Sequence, residues 1–194
     1  MSDHRHFIIH KPFGYLSQFV THQKKAKNKR LLGELYAFPE GTMAIGRLDE
    51  KSEGLLLLTT DGVVSEKVRS KSVEKEYFVQ VDGEITIEAI AQLKSGVEIG
   101  IRGKKYMTLP CEAAPLEHAP TFAPRTKKIR SDRHGPTSWI SMTINEGKFR
   151  QVRKMTASVG FPTLRLIRVR IGNIHLDDLS SGEIKEIECF ELPG

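Results

Sequence analysis

No run in this chain approaches the roughly 18 to 20 consecutive apolar residues needed to cross a bilayer. The opening Met1-Ser2-Asp3-His4-Arg5-His6 also lacks the apolar core of a signal peptide. A cytoplasmic protein with no membrane partner is therefore expected. There are two cysteines, Cys111 and Cys189, far apart and without C-x-x-C spacing, which argues against both a disulfide framework and a zinc knuckle. The sequence has no G-x-G-x-x-G, no P-loop and no H-E-x-x-H, so nucleotide-driven and zinc-protease chemistry have no foothold. Its seven histidines show no ligand spacing, and no metal site is expected. Internal repeats and low-complexity tracts are missing as well.

What is present is an ordinary folded composition of 194 residues with a surplus of positive charge: 30 Lys and Arg against 24 Asp and Glu, net +6. That balance favours an anionic partner without naming it. Much of it lies in two segments. Gln23 to Arg30 holds five cations and no acid, and Pro120 to Pro136 holds Arg125, Lys127, Lys128, Arg130 and Arg133 against Asp132 alone. In the first, phosphate contact competes evenly with plain solvation, and the second reads as a basic, mobile loop.

Strands are expected at Phe7 to Ile9, at Gly54 to Thr60 (apolar on both faces), at Glu76 to Gly83, which points Tyr77 inward, and at Thr137 to Asn145. Short amphipathic helices are expected over Leu31 to Phe38, after a Thr60 or Asp61 cap, and after Thr86, where Gly96 would form a left-handed stop. A further helix is expected from Lys148 to Val159. That last helix places Val152, Met155 and Val159 on a core face, and Arg150, Arg153 and Lys154 on a cationic one. The phase of alternation slips between Leu164, Leu166 and Val169, Ile171, as a β-bulge near Ile167 would produce, turning Arg165, Arg168 and Arg170 away from the leucines. An edge strand over Glu183 to Phe190 closes the chain. Strands with short helices between them imply an α+β domain around a mixed sheet.

The most informative stretch is Gly46-Arg47-Leu48-Asp49-Glu50-Lys51-Ser52-Glu53-Gly54, which runs into Leu55-Leu56-Leu57-Leu58. Charge beside a core strand costs several kcal/mol unless it is paired or used. A single carboxylate without a second acid in a similar setting does not fit a glycosidase, which needs two. An acid held beside a guanidinium stays ionised, ready to act as nucleophile or base.

Gly46-Arg47-Leu48-Asp49 with Ser52-Glu53-Gly54-Leu55-Leu56 resembles the catalytic motif of the RNA pseudouridine synthases, in the branch typified by the small-subunit rRNA enzyme. His10-Lys11-Pro12-Phe13-Gly14, Lys75-Glu76-Tyr77 and Glu146-Gly147-Lys148-Phe149-Arg150-Gln151-Val152-Arg153-Lys154-Met155 resemble its other motifs, in the same order. Gly135 to Trp139 and Val159 to Arg168 resemble members acting on the large subunit. The resemblance implies a mostly antiparallel central sheet with a cleft between two halves; many members carry an amino-terminal S4 module, but here the first motif starts almost at residue one, so one catalytic domain over 1–194 without that module is expected. It implies that Asp49 is the essential carboxylate, that Tyr77 lies against the target base, and that Arg153 pairs with Asp49. Arg47 would hold the nucleotide out, and Lys11, Arg150 and Gln151 would belong to the substrate site, with Lys127, Lys128 and Arg130 on the RNA. Arg150 stands where many members have His. No cofactor is implied; the partner is ribosomal RNA, 23S rRNA or a large-subunit precursor, met by a monomer. Two other readings are a noncatalytic RNA-binding or ribosome-assembly protein and, more distantly, a metal-dependent nuclease.

Overall fold

The computed structural model describes residues 4–20, 28–70, 73–130 and 132–191. Most of the basic run from Gln23 to Arg30 lies outside them. The chain divides into two compact units, Met1–Val73 with Arg168–Gly194, and Glu74–Ile167. The fold class is α+β: a mixed, mostly antiparallel sheet with three α-helices among the described residues.

The first unit holds β1 (His6–Lys11), β2 (Tyr15–Leu16), β3 (Arg30–Leu31), β4 (Met43–Ile45), β5 (Glu53–Thr59) and helix α1 (Gly62–Arg69). Every residue of β5 is buried. It pairs antiparallel with β1 on one side, where Phe7 faces Leu58, and with β4, where Ile45 faces Leu57. Leu55 to Leu58 are fully enclosed, and each such side chain contributes about 1.5–3 kcal/mol relative to exposure. That enclosure is why an unbroken leucine run, rather than an alternating one, makes this strand. Helix α1 starts where Asp61 accepts hydrogen bonds from the Val63 and Val64 amides at 2.8 and 3.3 Å.

The expected helix over Leu31 to Phe38 shrinks to a 3-10 turn, Leu32–Glu34. Gly33 weakens an α-helix there. Beyond the turn, Phe38 packs its ring on Phe7, Phe19 and Tyr36 at centroid distances of 5.0–5.4 Å rather than along a helix face.

The second unit holds β6 (Lys75–Asp82), α2 (Ile87–Ser95), β7 (Glu98–Ile101), β8 (Lys104–Met107), β9 (Glu112–Pro115), β10 (Thr137–Ile144) and α3 (Gln151–Ser158). Strand β10 pairs antiparallel with β6 and with β9, while β7 and β8 form a separate hairpin. Val79, Val81, Leu93, Ile140, Met142 and Met155 make the centre of its core. Thr86 caps α2 through the Ala89 amide, 3.2 Å, as its sequence position suggests. Ile87 is 84 % exposed, however, so the buried face is Ala89, Ile90 and Leu93. Gly96 stops the helix at φ 90°, ψ 147°, which is positive φ but not the left-handed helical cap expected. A side chain there would meet the Thr108 carbonyl at 2.4 Å, so glycine is required by close backbone approach.

Strand β11 (Thr163–Ile171) runs in sequence across the division between the units, and β12 (Ile174–His175) and β13 (Ile184–Ile187) return to the first. β13 pairs with β1, placing Ile187 opposite His6. Arg165 and Arg168, which the alternation turns away from the leucines, are not on the surface. Both are buried, donating to the carbonyls of Ala123 at 2.9 Å and Leu55 at 2.7 Å respectively.

Candidate active site

In the first unit the loop from Gly46 to Ser52 joins β4 to β5 and carries the conspicuous charges. Gly46 leaves β4 at φ 69°, a conformation few side chains tolerate. Leu48 then turns inward, and its backbone is held on both sides by one hydroxyl. Ser17 Oγ donates to the Leu48 carbonyl at 2.9 Å and accepts from the Leu48 amide at 3.0 Å. The Ser52 amide donates to the Asp49 carbonyl at 2.9 Å, and the Gly14 amide donates to the Glu50 carbonyl at 2.8 Å. Asp49 therefore sits in a turn fixed at the residue before it and the residues after it. Its side chain is half-buried, and it follows an exposed Arg47 and a buried Leu48 in the chain.

Lys11 departs from the expectation of a substrate contact. It is 0 % exposed, and its ammonium donates to the carbonyls of Pro12 at 2.9 Å and Tyr15 at 2.7 Å. Burial lowers its pKa from the ordinary 10.5 to about 7, against the opposing pull of Glu53, Asp49 and Glu50 and with a further push from Arg168. Lys11 thus belongs to a charge cluster with Glu53, Asp49, Glu50 and Arg168.

The cluster makes stability pH-dependent in a definite direction. Between pH 7 and 10.5 the folded protein holds fewer protons at Lys11 than the unfolded chain, so its term in folding stability rises with pH across that window. Lys11→Met is expected to flatten the rise by up to about 1.4 kcal/mol per pH unit, read as the difference between urea unfolding series of wild type and variant from pH 7 to 10. Equal slopes would mean that Lys11 titrates normally.

In the second unit Tyr77 lies on β6 opposite Met142 and packs half-buried against the core. Helix α3 begins later than its sequence periodicity suggests, at Gln151, because Arg150 adopts the left-handed conformation at φ 53°, ψ 36°. Arg150 therefore caps the helix rather than sharing its cationic face. Arg153, in the first turn, is half-buried.

What holds this turn is Glu146, a residue the sequence offers only as part of a motif. Its buried carboxylate accepts from the Tyr106 hydroxyl, from the Leu109 amide at 2.9 Å and from Gln151 Nε2 at 2.7 Å. The side-chain oxygen of Gln151, Oε1, in turn accepts from the Lys148 backbone amide at 3.1 Å. Gln151, expected at the substrate, is buried and occupied in ordering the backbone that carries Arg150 and Arg153. Burial pushes the Glu146 pKa up, yet these hydrogen bonds and the Lys148 charge outweigh it and hold the carboxyl below its usual value.

The basic loop is also less open than expected. Arg130 donates to the carbonyls of His134, Gly135 and Pro136 at 2.7–3.0 Å and pairs with Asp82 at 2.9 Å, so its guanidinium fastens the loop. Lys127 and Lys128 are exposed. Among the described residues no three His, Cys, Asp or Glu side chains cluster as metal ligands.

Residues 5–158 match the family described as RNA pseudouridylate synthase. The chain belongs to that family. Its similarity extends to curated members: it is 42 % identical over 184 residues to ribosomal large subunit pseudouridine synthase E of Vibrio parahaemolyticus, covering 93 % of this chain and 73 % of the relative. It is 40 % identical over 175 residues to the protein of the same name from Xanthomonas axonopodis, covering 89 % and 88 %. Among solved structures, a pseudouridylate synthase crystal structure superposes with a TM-score of 0.75 at 26 % identity, over 96 % of this chain and 71 % of that one. The protein is accordingly an isomerase of the RNA pseudouridylate synthase class.

Proposed function

We propose that this protein isomerises uridine to pseudouridine in large-subunit ribosomal RNA, with Asp49 as the essential carboxylate. The observation that carries the reading is the fixed Asp49 turn. Its backbone is held by Ser17, Ser52 and Gly14 while its side chain remains partly accessible beside a fully buried strand. Such pre-organisation suits a group that must attack one atom of a bound nucleoside. The names of the relatives support the choice of RNA. The family match spans parts of both compact units, which supports reading them as one catalytic domain.

In this reaction the glycosidic bond from N1 to C1′ breaks, the uracil turns, and C5 bonds to C1′. The proton on C5 departs and N1 gains one, so atoms and charge balance without a cofactor. Asp49 attacks the nucleoside, Tyr77 lies against the base and assists at C5, and Arg153 pairs with the carboxylate. Arg47, exposed beside Asp49, holds the nucleotide out of its helix, a step that costs a few kcal/mol of unstacking. Arg150 lies at the edge of the substrate site, and Lys127 and Lys128 meet RNA phosphates. The protein works as a cytoplasmic monomer.

The test is incubation of the purified protein with 5-tritiated 23S and 16S rRNA, followed by tritium release and mapping of the modified position. Stoichiometric release at one or a few sites of 23S rRNA is expected. Release from 16S rRNA alone would reassign the substrate, and release from neither, with binding retained, would leave a noncatalytic RNA-binding protein.

A further inference from the structure

The second unit presents a basic surface that none of the proposed site residues accounts for. Hairpin β7–β8 turns at Arg102 and Gly103, and Arg102, Lys104 and Lys105 are all exposed. The hairpin is fastened at three points, one on α3 and two on the turn before it. Lys154 Nζ donates to the Gly100 carbonyl at 2.6 Å, Lys148 Nζ stands 4.8 Å from the centre of the Tyr106 ring, and the Tyr106 hydroxyl donates to Glu146. On this fastened turn Phe149 is 63 % exposed, with Lys154 Nζ 5.2 Å from its ring centre.

A lone exposed apolar side chain needs no explanation. Phe149 differs in its company, because its sequence neighbours Lys148 and Arg150 are cations and Lys154 stands over its ring. A protein-docking patch is depleted in lysine at its centre. Aromatic rings set among cations are instead the signature of single-stranded nucleic acid binding, in which bases stack and phosphates track the positive charge. The one acid paired on the hairpin, Glu98 with Lys105 at 2.9 Å, is an exposed ion pair of little strength that a phosphate can displace.

We infer that hairpin β7–β8 and the Gly147–Arg150 turn form an RNA-binding face, on which Phe149 stacks an unpaired base and Lys148, Arg102, Lys104 and Lys105 meet the flanking phosphates. This rests on the reading that the protein acts on RNA. It adds the β7–β8 hairpin, which lies outside the catalytic motifs, and gives Phe149 and Lys148 within one of them a role of their own.

The experiment measures binding of a 23S rRNA fragment across a salt series for wild type, Phe149→Ala, Phe149→Leu, Phe149→Tyr and the double variant Lys104→Ala/Lys105→Ala, with thermal melting to confirm folding. Phe149→Ala and Phe149→Leu should each weaken binding roughly tenfold, while Phe149→Tyr, which keeps the ring, should not. The lysine double variant should reduce the salt slope by roughly 1.4, two single-strand phosphate contacts. Folded variants with wild-type affinity and slope would overturn the inference. So would unchanged binding to naked RNA with lost binding to ribosomal particles, which would mark a protein contact. Because binding is read apart from turnover, the two readings separate: weakened variants of a protein that releases no tritium keep this face and discard the isomerisation, and tritium release with unaltered variants does the reverse.

Discussion

Asp49→Asn is expected to lower tritium release from 5-labelled rRNA by roughly 10⁴-fold or more, the scale on which losing a nucleophile acts. RNA affinity and melting temperature should stay close to wild type. The expectation follows from where the loop is held. The Ser17 clamp acts on Leu48, and the turn closes from the Ser52 amide onto the Asp49 carbonyl, so the backbone bonds do not depend on the carboxylate. Asparagine keeps the shape and removes the negative charge on which the proposed attack depends. Arg47→Ala should fail at a different step. That side chain is exposed, so its loss should raise KM and slow capture of the extruded nucleotide while leaving kcat less affected. Wild-type-like release by Asp49→Asn would sink the assignment.

Glu146→Ala should destabilise the fold by about 2 kcal/mol or more, because it strands one buried donor at about 1–3 kcal/mol and removes the acceptor of two part-buried ones. Those donors are the Tyr106 hydroxyl, the Leu109 amide and Gln151 Nε2. Tyr106→Phe removes one of the three bonds without stranding a donor and should cost about 1 kcal/mol. The sign with pH is set by the depressed carboxyl of Glu146: its stabilisation is present above the ordinary carboxylate pKa and is lost as pH falls through the lowered value. Urea unfolding of wild type, Glu146→Ala and Tyr106→Phe at neutral pH and near pH 4 tests this, with the gap between wild type and Glu146→Ala narrowing in acid. A neutral-pH loss below 1 kcal/mol for Glu146→Ala would show that the network is not structural. With the turn loosened, turnover should fall further than RNA binding, since Arg150 and Arg153 are carried on the segment that Glu146 and Gln151 hold.

The elements that depend on local rules were readable in the sequence. The leucine run of β5, the Asp61 and Thr86 caps and the alternation of β10 all formed where composition placed them. The misreadings came where one backbone angle or one buried charge overrides periodicity. Arg150 has the right spacing for a helical face, but its left-handed conformation moves the helix start past it. Lys11, Arg130, Arg165 and Arg168 count as basic surface in any sum over the sequence, yet each gives donors to backbone carbonyls inside the fold. No pattern of residue types shows which cations will do so: Arg165 and Arg168 reach carbonyls 42 and 113 residues away, and Lys11 and Arg130 reach nearby carbonyls that only the folded turns present. Glu146 was visible as a motif letter without a role, since its partners Tyr106 and Leu109 come from the hairpin region some forty residues earlier.

One pairing in the first unit bears on how the protein is made. Strand β1 pairs through His6 with Ile187 of β13, while the second unit is a single uninterrupted stretch, Glu74–Ile167. At ribosomal speeds of about 5–20 residues per second, β1 waits roughly 10 to 35 seconds for its partner to be synthesised. Throughout that interval one edge of β1, with the apolar residues of β1 and β5 beside it, is open to other chains. The nascent first unit is therefore where a chaperone would be engaged, and truncation or stalling before Ile184 should yield aggregation even when the second unit has folded.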